Sequence, residues 1–432
     1  MKRDGWYASR AYPHFDLPLT FAAARAYVTD PDRVRRHSFH PFLSFDIVRR
    51  RYRASSRGVT ISKKSRPIGV AAHLDGYIFA YYAKILGDRY EARLAAEGLK
   101  PCVLAYRSGL GSNIEFAKAA FDEIRRREQC IVIALDLESF FDSIDHATLK
   151  RNWINLLNVE RLPVDHYAIF RAITRYSEVS LKECRSRLGI GQNQRAPRPI
   201  CSPSVFRTVI RRSAVGLPNL VKTNAQNHGI PQGSQISALL SNVYMLPFDS
   251  EMTCLAAAVD GYYRRYSDDI LWICRLEDAA CVRQELNRSL DKLGGAIKIK
   301  EEKTECSIFC RNAGGRLECD RPIQYLGFTF DGSNARIRSQ TLSKFWRRVI
   351  YAVRTARRAA SRSIAAPRIV YKRKIYRLFT HLGRRNLITY AKRSEAVMGT
   401  GAIRAQMRRH VPRIAKELGV QSAGRGQQKA RP

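Results

Sequence analysis

Apolar and polar positions along this chain alternate in runs that predict strands, helices and the turns between them. Cys130–Leu135 is an unbroken apolar run ending on Asp136. Its length predicts a buried strand, followed by a turn and a helix beginning near Asp145. Tyr262–Tyr266 and Ile270–Ile273 are aromatic and branched runs on either side of Ser267-Asp268-Asp269. They predict a hairpin with two adjacent carboxylates at its tip. Gly229-Ile230-Pro231-Gln232-Gly233-Ser234-Gln235 predicts a loop that lets backbone approach a ligand closely, leading into a helix over 238–245. Val59–Ile61 and Pro67–Val70 flank Ser62–Arg66 and predict a second hairpin, with Lys63, Lys64 and Arg66 at a cationic tip.

Helical spacing marks residues 74–90, 113–127 and 277–293. From Thr341 a further helix carries Leu342, Phe345, Trp346, Val349, Ile350 and Val353 on one face and Arg347, Arg354 and Arg358 on another. Residues 147–228 open with helical spacing and break into a loop over 185–204, rich in Gln, Arg, Pro and Gly; Arg207, Arg211 and Arg212 follow on a helix. Near the N-terminus, Arg33–Arg36 and Arg49–Arg53 are basic knots with Phe39, Phe42, Phe45 and Ile47 between them. That mixture suits RNA binding and core formation equally.

Charge changes the picture more than composition does. The chain has 432 residues, 45% of them hydrophobic, enough for two or three packed domains. It holds 76 Lys and Arg against 38 Asp and Glu, a net +38, which implies a polyanionic partner. The surplus is concentrated: residues 336–432 contain 26 Lys and Arg against two Glu, or +24. A membrane surface is the rival partner, but no lipidation signal or apolar run of spanning length accompanies the charge. The opening residues Met1–Trp6 lead into no apolar core, so no signal peptide is expected. Ten cysteines include no Cys-x-x-Cys pair, and Cys306, Cys310 and Cys319 lack a fourth zinc ligand. Buried, reduced thiols in a cytoplasmic protein are the expectation.

The strand ending on Asp136, the Pro231-Gln232-Gly233 loop and the Tyr266-Ser267-Asp268-Asp269 hairpin, in that order, resemble the palm of reverse transcriptases. The resemblance implies an α+β right-hand polymerase fold: fingers, a palm with an antiparallel sheet and a helical thumb. Residues 1–58 would form an N-terminal helical extension and 59–129 the fingers. Residues 130–335 would form the palm, with a fingers-like insertion at about 147–228, and 336–432 a basic helical thumb ending in a disordered tail after Gly419. Asp136, Asp268 and Asp269 would hold two Mg²⁺ ions, and Lys303 would lie near the leaving pyrophosphate. Lys63, Lys64, Arg66 and Arg107 would meet the incoming nucleotide, Gln232 would shape its pocket, and Phe141 would be the gate against a 2′-hydroxyl. Phe140 would be core, and Asp142 and Asp145 would cap the next helix. Gln324–Phe328 resembles the primer-grip hairpin between palm and thumb, and Arg347, Arg354 and Arg358 would follow nucleic-acid phosphates.

Within that family the chain looks most like the bacterial defence-associated enzymes of the "unknown" groups. The small class-2 type, which copies a neighbouring non-coding RNA into cDNA, is the nearest in pattern. Tyr12-Pro13-His14-Phe15-Asp16, Phe39-His40-Pro41-Phe42 and Ala105-Tyr106-Arg107 carry that likeness. Ser267 departs from it, since Ala or Cys is more usual before the two Asp. The expected partners are a dedicated template RNA, its cDNA and dNTPs, with no membrane; the oligomeric state is left open. Two alternatives stand beside this reading. One is a template-independent or protein-primed polymerase of the abortive-infection type; the other is a non-catalytic RNA-binding protein on a polymerase fold.

Overall fold

A computed structural model describes residues 5–55, 58–191, 193–211, 216, 218–294, 297–362 and 370–419. For 49–55, 58–61, 63 and 64 only the backbone is described. The expected tail after Gly419 lies outside the described residues, as does Arg212.

The chain begins with α1 (Phe21–Val28), α2 (Pro31–Arg35), β1 (Phe42–Asp46), β2 (Arg49–Ser55), β3 (Gly58–Lys64) and β4 (Pro67–Val70). Long α3 (His73–Ala96) and α4 (Asn113–Arg126) lead to β5 (Gln129–Asp136). There follow α5 (His146–Leu157), α6 (Val164–Thr174), β6 (Ser177–Ser180), α7 (Leu181–Arg187), α8 (Pro203–Val205) and β7 (Lys222–Thr223). Next come α9 (Ser237–Ala258), β8 (Tyr262–Tyr266), β9 (Asp269–Cys274), α10 (Ala279–Asp291), β10 (Glu305–Arg311) and β11 (Leu317–Cys319). A meander of β12 (Ile323–Tyr325), β13 (Phe328–Phe330) and β14 (Ala335–Ile337) leads into α11 (Ser339–Ser361). The chain closes with α12 (Lys372–Phe379), α13 (Leu387–Met398), α14 (Gly401–Met407) and α15 (His410–Glu417).

The central sheet has the order β11-β10-β5-β9-β8 and is antiparallel throughout. Its middle strands are apolar on both faces because both faces are covered. Ile133, Leu135, Ile270 and Trp272 pack with α3, α5, α9 and α10. Val132, Leu271 and Ile273 alternate to the opposite face, against α4, the β12–β14 meander and the thumb helices. This is the α+β architecture expected from the sequence, with the antiparallel sheet as the palm.

The second sheet has the order β4-β1-β6-β7. β6 and β7, from the 147–228 segment expected as an insertion, extend the sheet of β1 and β4: β6 pairs with β1, and β7 with β6. The first 58 residues are not purely helical, because β1 and β2 lie within them. Nor does 59–70 form a hairpin on itself. β3 pairs with β2, from Ser55↔Gly58 to Arg49↔Lys64, while β4 pairs with β1. The run Arg49–Arg53 reads as a basic knot, and its charges hide a strand. Lys63 and Lys64 therefore sit opposite Arg50 and Arg49 at the end of a ribbon, not on a tip. Phe39 and Phe42 stack on Phe79 at 5.3 and 6.0 Å, which makes them core, whereas Phe45 is exposed.

The N-terminal segment clasps this region. α3 starts at Ala72 without a side-chain cap of its own. Asp16 supplies one from 57 residues away, accepting from the backbone N–H of His73 (2.9 Å) and of Leu74 (3.0 Å). In the thumb, Phe345, Val349 and Val353 of α11 are buried while Arg347, Arg354 and Arg358 are exposed, as the periodicity predicts. All ten cysteines are free, but only Cys102, Cys130, Cys184 and Cys274 are buried; Cys254, Cys281 and Cys310 are exposed. Among the described residues, no helix is long and apolar enough to cross a membrane.

Candidate active site

Register alone gathers the three aspartates. β5 and β9 run antiparallel with Asp136 directly opposite Asp269. The backbone N–H of Leu137 donates to the carbonyl of Asp268 at 3.1 Å, fixing the hairpin apex against the end of β5. Asp269 has its pKa pushed up to about 6, first by burial and then by the neighbouring charge of Asp268, while Arg338 pulls the other way. Burial and a neighbouring like charge both disfavour the ionised form.

The ammonium of Lys303 rests directly on the Asp136 carboxylate. It arrives there because the backbone N–H of Lys300 donates to the Asp136 carbonyl (2.8 Å) and a short 3₁₀ turn, Glu301–Lys303, follows. Lys300 itself pairs with Glu302 at 3.0 Å. The carboxylate set is of the hard-oxygen kind that divalent cations prefer. The side chains do not yet converge: among the described residues no three His, Cys, Asp or Glu are arranged to hold an ion. A cation reaching Asp136 would have to displace Lys303, which leaves the donors suitable in kind and in register.

Around the aspartates, two turns shape the floor. After Asp136 the chain passes through Ser139 at φ +45° into a 3₁₀ turn, Phe140–Ser143, that buries Phe140 and leaves Phe141 half-buried. Phe140 is core, as expected. The Phe141 carbonyl accepts from Ile230 of the Pro-Gln-Gly loop at 2.9 Å. That loop then docks on β4, with Gly69 N–H donating to the Gln232 carbonyl at 2.8 Å. Gly233 has φ +113°, and a Cβ there would lie 2.8 Å from the Gly69 carbonyl oxygen, so only glycine fits. Phe141 and Gln232 thus lie on the run of backbone contacts that leads from the end of β5 to β4. Asp145 caps α5, accepting from Thr148 N–H at 2.7 Å; Asp142 does not.

Arg107 is a correction. Its guanidinium grips Glu91 with two bonds of 2.7 Å and donates to the carbonyls of Lys100 and Val103 at 2.6 Å each. With its side chain 3% exposed and four of its five donors engaged, it braces the fold instead of meeting a nucleotide. Arg66 is exposed beside β4, and its backbone pairs with Ile47. The side chains of Lys63 and Lys64 lie outside the described residues.

Sequence reasoning missed the support behind the hairpin. Arg265 and Asp249 are both fully buried and joined by two bonds, Nε to Oδ1 at 2.7 Å and Nη2 to Oδ2 at 2.5 Å. Burial alone would favour loss of the guanidinium proton; the Asp249 carboxylate more than reverses this and holds Arg265 charged. Tyr263 Oη adds a 2.6 Å bond to Asp249, and Arg265 Nη1 reaches Asn242 Oδ1 (3.1 Å) and the Ser267 carbonyl (3.2 Å). A signal was present: Arg265 shares the inward phase of Tyr263 on a strand of period two, and Asn242 and Asp249 lie seven apart on an apolar helix.

Residues 105–330, just over half of the chain, match the family described as reverse transcriptase (RNA-dependent DNA polymerase). The chain belongs to the reverse transcriptase family. No curated protein matches the sequence of this reverse transcriptase. Among solved structures it is similar to the apo telomerase of Candida tropicalis, at 12% identity and TM-score 0.43, covering 86% of this chain and 58% of that one. A form truncated of its C-terminal domain gives 10% identity and TM-score 0.43, covering 68% and 57%. Candida albicans telomerase in complex with a TWJ fragment of telomeric RNA gives 12% identity and TM-score 0.41, covering 91% and 59%. This reverse transcriptase therefore spans less than three fifths of those telomerase chains.

Proposed function

We propose that this reverse transcriptase copies a dedicated, bound non-coding RNA into cDNA in the bacterial cytoplasm, as part of antiviral defence. The observation that carries the polymerase reading is the register of Asp136 opposite Asp269, with Asp268 fixed beside them. In this reading Asp136 and Asp268 hold two Mg²⁺ ions and Asp269 supports them electrostatically. When bound, such ions lower the pKa of the primer 3′-hydroxyl and neutralise the triphosphate. Lys303, released from Asp136, places its charge toward the departing pyrophosphate. Lys63, Lys64 and Arg66 receive the triphosphate from the fingers side, Gln232 and its loop shape the template–nucleotide pocket, and Phe141 excludes a 2′-hydroxyl. The exposed stripe Arg347, Arg354 and Arg358 follows phosphates of the template RNA and its cDNA. The non-coding nature of the RNA and the defence role rest on the likeness carried by Tyr12–Asp16, Phe39–Phe42 and Ala105–Arg107.

The test is Asp268→Ala with Asp269→Ala in the full chain, measured by dNTP incorporation on an RNA template with Mg²⁺. The expected outcome is loss of activity by at least a thousandfold with RNA binding retained, since both carboxylates sit at a hairpin apex and little core is removed. Mg²⁺-dependent incorporation by the double variant would move the active site elsewhere. Sequencing the DNA made in cells separates RNA-templated copying from untemplated or protein-primed synthesis.

A further inference from the structure

Tyr106 and Ser267 are both non-glycine residues in the left-handed region, at φ +62° and +60°. Their side chains meet beside the candidate active site: Ser267 Oγ donates to Tyr106 Oη at 3.0 Å. Ser267 is 3% exposed and Tyr106 is 49% exposed, so the bond joins a buried hairpin apex to a ring at the rim of the site. Left-handed backbone is unfavourable for residues with a Cβ and persists where surrounding structure over-determines it. Here the surroundings form a closed circuit. The Ser267 carbonyl accepts from Arg265 Nη1, which also donates to Asn242 Oδ1; Asn242 Nδ2 donates to the carbonyl of Ala105 at 2.9 Å. Ala105 precedes Tyr106, so the path returns to its start. The strand end is tied in as well, since Leu104 N–H donates to the Arg265 carbonyl at 2.9 Å and Arg265 N–H to the Cys102 carbonyl at 2.8 Å.

We propose that Tyr106 is a positioning residue of the polymerase: its hydroxyl, through Ser267, holds the hairpin apex in the conformation that presents Asp268. The side-chain bond is the one partly buried link in an otherwise buried circuit, and it acts on the residue immediately before a carboxylate of the site. A hydrogen bond and the cost of one left-handed residue are of the same order, so losing this bond frees the apex to relax. The serine at this position and the tyrosine at 106 belong together, because either one alone leaves the other hydroxyl without this partner. The proposal rests on the polymerase reading above.

The experiment is steady-state extension of oligo(dT) on poly(rA) by the full-length wild type, Tyr106→Phe, Ser267→Ala and the double variant, with dTTP and Mg²⁺ varied in turn. Each single variant is expected to lower kcat about three- to tenfold, with KM for dTTP within about twofold and the Mg²⁺ midpoint raised. The double variant is expected to match the singles, because each removes the same bond. Losses that multiply in the double variant, or a change confined to KM, overturn the proposal, the latter by making Tyr106 a nucleotide contact. Melting curves keep folding apart from catalysis. Should Tyr106→Phe fail to fold, Ser267→Ala must still show the kcat loss, and an unchanged kcat there overturns the proposal equally. A wild type that extends nothing, either on poly(rA) or on the RNA that co-purifies with it, would break the polymerase reading instead.

Discussion

The sheet beneath the aspartates and the sheet that carries the Pro-Gln-Gly loop at Gly69 are assembled differently. β5, β8, β9, β10 and β11 all come from residues 129–319, and the central ones are apolar on both faces. β1, β4, β6 and β7 are gathered from residues 42–223, and their strands are short and half-exposed. The first sheet is held by side chains packed on both faces, with one buried ion pair at its edge. The second packs fewer apolar side chains, Phe42, Leu43 and Val179 among them, and adds clasps from distant segments: Asp16 at the start of α3, and Asp75, which accepts from His37 (2.7 Å) and from His40 N–H (2.8 Å). In the reading proposed above, chemistry falls to the sheet covered on both faces, and substrate handling to the smaller sheet with its added clasps.

The largest break in that contrast is Arg265→Met. It leaves Asp249 charged, buried and short of its main partner, which costs about 3–5 kcal/mol. The check is the denaturant midpoint of the purified chain, expected to fall sharply. Arg265→Met with Asp249→Leu should recover much of that stability, since an apolar pair of similar volume is tolerated where a lone charge is not. Activity should stay low even so, because the Ser267 carbonyl and Asn242 Oδ1 still lack the Arg265 donor. Recovery of both together would show that the pair serves stability alone.

How far the sequence disclosed the molecule follows from the same contrast. Asp136, Asp268 and Asp269 were legible because each ends or caps an apolar run whose period is visible. The Leu326-Gly327 turn, at φ +44° and +91°, was reached only through the resemblance of Gln324–Phe328 to a family hairpin. The β2–β3 pairing was not legible, because Arg49–Arg53 carries its strand period in charged residues. Arg107 misled for a related reason: a basic residue in a matching string looks functional until its Glu91 partner, 16 positions away, is seen. Tyr12, His14 and Asp16 looked like family markers, and in the fold they are the clasp on α3.

A smaller effect is expected at the seam between the two sheets. Phe141→Ala removes the ring of a half-buried residue whose carbonyl is tied to Ile230. If the ring excludes a 2′-hydroxyl, the kcat/KM ratio of NTP to dNTP should rise about tenfold to a hundredfold, the usual span for one steric contact. The measurement is single-nucleotide extension with each substrate. An unchanged ratio with activity preserved would return Phe141 to the core and place the gate at another residue.

The smallest effect belongs to the clasp, and it is a pH dependence. His14 is fully buried; its Nδ1 accepts from Phe15 N–H at 2.8 Å and its Nε2 faces the Val70 carbonyl at 3.2 Å. A neutral ring with its proton on Nε2 satisfies both contacts, and a second proton on Nδ1 would meet the Phe15 N–H. Burial pulls the His14 pKa down to about 4, against the attraction of Asp16, while His40 and His73 add to the lowering. The folded value lies below the unfolded one of 6.5, so this contribution is fully present above pH 6.5 and is lost as pH falls from there toward 4. One unit below 6.5 the loss is about 1.4 kcal/mol, or tenfold in the opening equilibrium. Asp16, whose pKa its bonds from His73 and Leu74 draw down to about 2 despite burial, keeps its own contribution until far lower pH. Hydrogen exchange at the Phe15 and His73 amides reads the opening locally. Protection there should fall between pH 6.5 and 5 beyond the intrinsic exchange trend, and His14→Asn should abolish that extra slope whatever it does to the baseline. A slope that survives in His14→Asn would assign the pH sensitivity to another group, leaving the clasp without a titrating member in this range.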